Sequence, residues 1–245
     1  MHIHKDLKMA DVIHLNHHLL PVINRFGIQL GFGDNSVEEV CQNYGLNLDF
    51  FLEILNTFHD PTYFPLANLQ KFSAKMLIDY LQKTHQYYLE EKIPEIENRI
   101  QHLIEDVAFE AQHLQVLMDF FINYKNELIS HINSEEERVY PYALALERKL
   151  SGKVHIDDEL ILSRNYSIRL YEEDHDDVES KLFDLKNIII KYFPSPIESS
   201  RFNSILHELF ELENDLNNHG HIEDLILVPI VEKMEKELAE LSDKV

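Results

Sequence analysis

Two segments of the chain each carry a histidine followed four residues later by a glutamate: His131 with Glu135, and His219 with Glu223. Imidazole nitrogens and carboxylate oxygens are metal ligands. On an α-helix, residues i and i+4 lie on one face about 6 Å apart, so the members of each pair can share one ion. Each segment is therefore a candidate metal-binding motif.

The two motifs belong to a longer internal repeat. A proline follows each glutamate by six residues, at Pro141 and Pro229. A further histidine precedes each motif by about 45 residues, His85 in the first case and His175 in the second. A single His-x3-Glu pair is a common accident on a helix, and a lone buried histidine is usually only hydrogen-bonded. Their joint repetition in register favours a metal site over both of these readings.

The candidate ligands suit particular metals. Four imidazoles and two carboxylates without a thiolate suit Fe, Mn or Zn better than copper(I) or an iron-sulfur cluster. If both carboxylates bridge a pair of ions, each ion has two histidines and two bridging oxygens. An octahedral ion then keeps positions for an oxo or hydroxo bridge and one exogenous molecule. The candidate metal ligands are His85, His131, Glu135, His175, His219 and Glu223.

The elements that position these residues are predicted to be helices. Apolar residues recur at alternating spacings of three and four around all the candidate ligands, which places the ligands within apolar stripes. If the ligands lie at one level of antiparallel neighbours, turns fall near residues 109, 154 and 198. Turn-forming residues are present at Ser151-Gly152-Lys153 and at 193–200. These features predict an all-α, up-down-up-down four-helix bundle whose first helix runs from about Asn68 to Asp106 and is kinked at Pro94.

A small helical unit precedes the predicted bundle. Its sequence predicts a helix from about Ala10 to Arg25 that Pro21 kinks or restarts, a capping box at Ser36 with a left-handed cap at Gly45, and a helix from Leu48 to Phe58. Asp60-Pro61 then breaks the chain. We place the domain boundary there, which gives domains of residues 1–60 and 61–245. A chain beginning near Thr62 is expected to remain helical and to retain metal.

Composition limits the classes of partner and compartment. A net charge of −22 provides no basic surface for nucleic acid or an anionic membrane. The single cysteine, Cys41, excludes an internal disulfide and suits a reducing cytoplasm. The start of the chain shows no signal-peptide pattern and no run is long enough to span a membrane, so a soluble cytoplasmic protein is expected. The oligomeric state stays open between a monomer and a homodimer.

Other histidines fall outside the repeat. The N-terminal ones lack carboxylates at helical spacing and are not expected to form a metal site. His59 is interpreted as a local cap. The remaining ones are interpreted as surface residues: His102, His113, His155 and His207.

Residues from about 70 to 240 resemble the hemerythrin-like cation-binding bundle. The order His, His-x3-Glu, His, His-x3-Glu is similar to the di-iron proteins of the repair-of-iron-centres family rather than to oxygen-carrying hemerythrins. The segments that carry this resemblance are residues 131–141 and 219–229. The resemblance implies that the six candidate ligands bind two irons and that Glu135 and Glu223 bridge them. Mn or Zn would be substitutes for iron.

The N-terminal unit also resembles the small helical domain of that family, through the segment from Arg25 to Cys41. Family members carry adjacent cysteines in the loop where this chain has Gly31-Phe32. The thiol chemistry of that pair is therefore not carried over to this chain. Cys41 lies too far along the sequence to replace the pair by simple register.

Three functions follow as hypotheses. The first is a stress-response di-iron protein that supports repair of damaged iron-sulfur clusters, by supplying iron to iron-sulfur proteins or by reducing nitric oxide. The second is a sensor or carrier that binds O2 or NO reversibly, without turnover. The third is a metal-free helical scaffold. Metal content distinguishes the third from the others, and NO turnover distinguishes the first from the second, so whether the protein is an enzyme stays open.

Overall fold

The structure is a computed structural model that describes residues 1–106, 111–163, 166–174, 178–192 and 199–242. The described residues form an all-α fold. Within them, the one extended pairing is an isolated antiparallel bridge between Lys8 and Ser36. No helix in these ranges is long and apolar enough to cross a membrane.

The N-terminal unit contains helices α1 (Met9–Leu15), α2 (Leu19–Arg25), α3 (Val37–Tyr44) and α4 (Leu48–His59). The helix predicted from Ala10 to Arg25 is thus two helices, and the chain restarts upstream of Pro21. The Asn16 side chain accepts a hydrogen bond from the His18 N–H at 3.1 Å, which stabilises the turn between α1 and α2. Pro21 lies in the first turn of α2, where a missing N–H leaves no helical hydrogen bond unmade.

The predicted caps of α3 are confirmed. The Ser36 hydroxyl accepts from the Glu39 N–H, and the Glu39 carboxylate accepts from the Ser36 N–H. Gly45 ends the helix at φ 65°, in the left-handed region that glycine tolerates without a Cβ clash. Helix α4 begins after Asn47, whose side chain caps the Phe50 N–H.

The remaining chain forms long helical segments interrupted by π turns. The elements are α5 (Leu66–Leu69), α6 (Ala74–Tyr87), π1 (Tyr88–Lys92), α7 (Ile93–Asp106), α8 (Ala111–Ser134), π2 (Glu135–Val139), α9 (Tyr140–Leu150), α10 (Asp158–Leu162), α11 (Ile168–Asp174), α12 (Val178–Tyr192), α13 (Ser199–Ile222), π3 (Glu223–Leu227) and α14 (Val228–Ser242).

Two boundaries can be compared with the sequence-based expectations. The first long helix begins at Ala74, capped by Ser73, rather than near Asn68, because α5 and a turn intervene. The turn predicted near residue 154 is present, since α9 ends at Leu150 and Gly152 follows at φ 72°. The turns predicted near 109 and 198 fall on 107–110 and 193–198, outside the described residues.

The long helices pack against one another in pairs. α7 packs on α8, α6 on α9, α12 on both α8 and α13, α13 on α7, and α14 on α9 and α11. Buried apolar side chains form two clusters. The first contains the N-terminal unit with α6, α9 and α14, and the second contains α7, α8, α12 and α13.

The first apolar cluster includes residues from both sides of Asp60, such as Phe51 of α4 and Leu77 of α6. Arg25 of α2 also forms a buried ion pair with Asp215 of α13. The division into residues 1–60 and 61–245 stays a prediction. The packing shows that separation of the two parts would expose apolar surface.

Candidate metal centre

A polar layer lies between the two apolar clusters. Along α6 it follows Leu81 of the first cluster and precedes Tyr88 of the second. Along α8 it follows Ile132 of the second cluster and precedes Val139 of the first. Along α13 it follows Leu216 of the second cluster. The helices therefore bring polar side chains of distant parts of the chain to one level.

Four buried side chains meet in this layer: His85, Glu135, His219 and Glu223. Each offers one ligand atom, and these atoms all lie within 4.8 Å of one another. Only 1–5% of each residue is exposed. This group could hold a metal ion.

The distances between these groups are short. His85 Nε2 lies 3.2 Å from Glu135 Oε2 and 3.1 Å from His219 Nε2. His219 Nε2 lies 3.3 Å from Glu223 Oε2. Two imidazoles thus direct their Nε2 atoms toward each other, with one carboxylate beside each. Nitrogen and carboxylate donors in this arrangement suit Fe, Mn or Zn.

Several buried atoms in the layer make no hydrogen bond. They are Glu135 Oε2, Glu223 Oε2 and His219 Nδ1. Although His85 Nε2 lies 3.2 Å from Glu135 Oε2, it makes no well-directed hydrogen bond to it. A buried carboxylate oxygen without a donor costs free energy. A cation bound between the two carboxylates would remove that cost, so the residues fit a metal ion.

The outer nitrogen of the His85 ring, Nδ1, is hydrogen-bonded to a neighbouring carboxylate. The Nδ1–H donates to Glu136 Oε1 at 2.8 Å, and the Gln82 side chain donates to Glu136 Oε2 at 2.7 Å. A carboxylate that accepts from the outer nitrogen fixes the orientation and tautomer of a metal-binding histidine. Glu136 therefore directs Nε2 of His85 into the layer.

Two buried tyrosines donate to the carboxylates. Tyr140 donates to Glu223 Oε1 at 2.5 Å, and its ring stacks on His85 at an interplanar angle of 10°. Tyr171 donates to Glu135 Oε1 at 2.8 Å. Burial, together with the nearby carboxylates, raises the pKa of both phenols well above the usual value. Both hydroxyls stay protonated and act as fixed donors, each occupying one oxygen of its carboxylate.

The protonation of the metal-free layer follows from its charges. Burial by itself lowers the pKa of His85, but the close approach of Glu135, the hydrogen bond to Glu136 and the negative charges of both raise it to about 9. Burial raises the pKa of Glu135, yet the contacts to His131 and His85 prevail and hold it well below its usual range. The metal-free protein thus carries a proton on His85 where a metal would otherwise lie.

A proline lies two residues after the end of each π turn. The N–H groups of Ile93, Tyr140 and Val228 donate to carbonyls five residues earlier, and Pro94, Pro141 and Pro229 follow them. A proline has no N–H, and its ring clashes with the carbonyl four residues before it, which disfavours a regular α turn there. π2 begins at Glu135 and π3 at Glu223. The repeated proline thus explains a local widening of the helix at each candidate glutamate, and such turns are frequent at functional sites.

The remaining predicted ligands differ in position. His131 Nε2 lies 3.0 Å from Glu135 Oε1, and its side chain is 16% exposed, more than those of the four clustered residues. His131 therefore lies at the edge of the layer. His175 lies outside the described residues. α11 ends at Asp174, one residue before it, and carries Tyr171, which contacts Glu135.

A cavity of about 510 Å³ adjoins this edge. Among its lining residues are His131, Glu135, Tyr171, Glu137 and Arg138. It connects His131, the least buried of the candidate ligands that the structure describes, with the exterior. A small molecule or ion could approach the layer from this side.

The other histidines mostly agree with the predictions. His102, His155 and His207 are exposed as predicted, and the His113 side chain lies outside the described part. His59 is not a helix cap, since its Nε2 lies 3.0 Å from the Met1 carbonyl oxygen and holds the N-terminus. Within the described residues, no N-terminal histidine joins a potential metal-binding group.

Tyr140, Tyr171 and Glu136 were not predicted from the sequence. An aromatic residue in an apolar stripe is normally interpreted as core, and the hydroxyl contact joins different helices. Glu136 directly follows Glu135 and has polar neighbours, so the sequence does not distinguish it from a surface residue. The one available hint was that Tyr171 precedes His175 by one helical turn.

Comparison with known proteins adds a distant relative. No protein-family model matches the chain. The chain is 21% identical over 209 residues to the iron-sulfur cluster repair protein ScdA of Staphylococcus haemolyticus (strain JCSC1435). The alignment covers 84% of this chain and 89% of that protein. The similarity thus extends over both the N-terminal unit and the long helices.

Proposed function

We propose that this protein is a di-iron protein that supports the repair of damaged iron-sulfur clusters. The observation that carries the proposal is the buried layer in which two carboxylates each present an oxygen without a hydrogen bond to two converging imidazoles. The similarity to a protein named for iron-sulfur cluster repair supports iron over Mn or Zn. The proposed setting is the nitrosative and oxidative stress response.

The proposed architecture is a hemerythrin-like, up-down-up-down four-helix bundle. Its helices would be α6–α7, α8–α9, α11–α12 and α13–α14, each including its π turn where one is present. The pairwise packing of neighbouring segments supports this arrangement. The common level of the candidate ligands on three of these segments supports it as well.

We assign the two ions to six residues. His85, Glu135, His219 and Glu223 would form the inner part of the centre, with Glu135 and Glu223 as the bridging carboxylates. His131 would complete it on the side of the cavity, and His175 is assigned to it from the sequence repeat alone. When bound, the irons supply one-electron chemistry and open coordination positions for a diatomic ligand.

The protein's own groups prepare this centre. Tyr140 and Tyr171 each hold one carboxylate oxygen, which limits how far Glu223 and Glu135 can rotate. Glu136 accepts the Nδ1 proton of His85 and keeps Nε2 directed inward. The apolar clusters on both sides limit the access of water, so charge interactions in the layer are stronger than at the surface.

The proposed partners are NO or O2 as small ligands, and iron-sulfur proteins as recipients of iron or of protection. The proposed location is the cytoplasm, where a reducing medium suits an unpaired cysteine. Nucleic acid and membranes are not proposed as partners. Whether the chain acts alone or as a homodimer stays open.

One observation favours the alternative of an O2 or NO sensor or carrier without turnover. Cys41 is buried, and burial raises the pKa of its thiol to about 12. The thiol is therefore protonated at neutral pH and poorly suited to accept iron. Transfer of iron through a cysteine of the N-terminal unit is accordingly not part of the proposal.

The first experiment is anaerobic reconstitution with Fe(II), followed by elemental analysis. We expect about two irons per chain, because two bridging carboxylates and four imidazoles satisfy two ions. The matched control is His207→Gln, which changes an exposed histidine outside the layer, whereas His219→Gln should lose iron. Less than about half an iron per chain in the natural protein would refute the metal centre.

A second experiment separates repair from reversible binding. An NO-damaged iron-sulfur enzyme is incubated with protein loaded with isotopically labelled iron. Repair by iron supply predicts that label appears in the restored cluster. NO consumption without label transfer supports NO reduction, and reversible NO binding without either supports the sensor or carrier alternative.

A further inference from the structure

An arginine of the N-terminal unit is buried beside the polar layer. Arg25 lies at the end of α2, and its side chain is 2% exposed. Its Nη2 donates to Asp215 Oδ2 of α13 at 2.5 Å. The guanidinium carbon lies 4.7 Å from the centre of the Tyr87 ring, at the end of α6. Arg25 therefore joins the N-terminal unit to two of the helices that carry candidate ligands.

Asp215 accepts a second hydrogen bond. The Tyr88 hydroxyl donates to the same Oδ2 atom at 2.6 Å. Asp215 precedes His219 by one helical turn on α13, and Tyr88 follows His85 by almost one turn. The Tyr88 ring packs edge-on against the His219 ring, with their centres 5.8 Å apart. The chain of contacts thus runs from Arg25 through Asp215 and Tyr88 to the His219 ring.

This arrangement contrasts with the support of His85. Nδ1 of His85 has a carboxylate partner in Glu136, whereas Nδ1 of His219 is buried without a hydrogen bond. Apart from the contacts of its Nε2 with His85 and Glu223, the orientation of the His219 ring depends on packing, and Tyr88 packs against one side of it. Movement of Tyr88 would change the direction of His219 Nε2 in the layer.

Burying a charged arginine side chain costs free energy, so its presence here suggests a specific role. Removal of one partner of a buried ion pair is strongly destabilising because the other charge remains unpaired. In addition, Arg25 Nε is buried without a hydrogen bond. Apolar side chains could fill this junction, yet the sequence has a charged side chain there.

We propose that Arg25 is a positioning residue of the metal centre and that it couples the N-terminal unit to metal binding. It fixes Asp215 and Tyr88, and Tyr88 in turn orients His219. This inference rests on the proposed function, because it assigns His219 to the metal. Coupling of this kind is reciprocal, so metal binding also tightens the docking of α2.

The test uses variants that separate charge from position. Arg25→Met with Asp215→Asn removes the pair without an unpaired charge, and Tyr88→Phe removes only the hydroxyl that donates to Asp215. The control is His18→Ala, because His18 pairs with Glu211 of α13 at 2.7 Å within the same junction but at a more exposed site. Fe(II) affinity is measured anaerobically by competition with a chromophoric chelator, beside the melting temperature of the metal-free protein.

We expect at least about ten-fold weaker iron affinity in the double variant and in Tyr88→Phe, since loss of groups that orient ligands commonly costs 10–100-fold. His18→Ala should bind iron as the natural chain does. The double variant should keep a melting temperature near that of the natural chain while its affinity falls, which general loss of structure would not produce. Iron affinity within two-fold of the natural chain in both variants would overturn the inference.

Different results would refute the proposed function and the inference about Arg25. If the natural chain binds no iron, the proposed function fails, and the inference is then tested on the metal-free protein by NMR of the His219 ring. A changed ring signal in Tyr88→Phe, with no change in His18→Ala, supports positioning, and an unchanged signal refutes it. If iron binds, hydrogen exchange of α2 should slow on loading, and unchanged exchange refutes the reciprocal coupling.

Discussion

The metal-free protein is expected to lose stability as pH rises from 6.5 to about 9. The cause is His85, whose pKa is raised from 6.5 to about 9 because its contacts with Glu135 and Glu136 outweigh burial. The protonated ring binds these carboxylates in the folded state only. Its contribution is therefore complete below pH 6.5 and disappears as pH passes through about 9.

The magnitude follows from the size of that change in pKa. Each pKa unit corresponds to about 1.4 kcal/mol, so raising the pKa of His85 from 6.5 to about 9 is equivalent to about 3 kcal/mol of folding free energy. The side chain is 3% exposed, so solvent screening reduces this value little. The pKa of His131 is raised in the same direction, against burial, by its contact with Glu135. A typical domain is stable by only 5–15 kcal/mol, so the loss is measurable.

The assay is urea denaturation of metal-free protein at pH 6, 7.5 and 9, with a chelator present. His85→Gln should reduce the pH dependence, and His207→Gln, at an exposed position, should leave it intact. With Fe(II) bound the dependence should vanish or reverse, because the metal replaces the proton on His85 and binds more tightly as pH rises. A metal-free stability that is constant from pH 6.5 to 9 would refute this assignment of the charges.

Four further outcomes are expected. Glu135→Gln and Glu223→Gln should each lose at least one iron, because a neutral amide cannot bridge two cations; an unchanged stoichiometry and near-ultraviolet spectrum would show that the carboxylates do not bridge. A chain beginning at Thr62 should stay helical and still bind iron, with weaker affinity because Arg25 is absent, and should melt at a lower temperature, as followed by circular dichroism, because it exposes the shared apolar cluster. Cys41 should react with a thiol reagent only on unfolding, since burial raises its pKa to about 12; rapid reaction of the folded protein would contradict its burial. Pro141→Ala should weaken iron binding without unfolding the chain, by allowing a regular α turn after Glu135; unchanged affinity would show that the π turn does not position the carboxylate.

The sequence predicted the helical class and the convergence of four candidate ligands. Both depend on periodicity, which is a local property of the chain. His85 and Glu135 lie on different helices, yet each occupies the inward stripe of its own helix, so the helical pattern alone directs both into one interior. The Gly152 turn was predictable for the same reason, because a left-handed residue beyond a helix end favours glycine.

Other features of the site depend on contacts that local patterns do not encode. The hydroxyl of Tyr140 donates to Glu223 on a different helix, and the two residues are 83 positions apart in the sequence. The pairing of Arg25 with Asp215 spans 190 positions. Each of these residues has an ordinary local environment in the sequence. Only the packing of the helices makes a phenol a donor to a carboxylate, or makes an arginine a buried partner.

The metal-free layer concentrates several unfavourable features at one level of the fold. It contains buried carboxylate oxygens without donors, a histidine, His85, whose pKa is raised in spite of burial, and a π turn that starts at each glutamate. Several such violations at one place are expected where function, rather than stability, selects the residues. A bound cation would pair with both carboxylates and displace the proton from His85, so it would favour the folded state by mass action. Metal binding and folding are therefore expected to be linked through this layer, and the prolines that set the π turns keep the glutamates in place before the metal arrives.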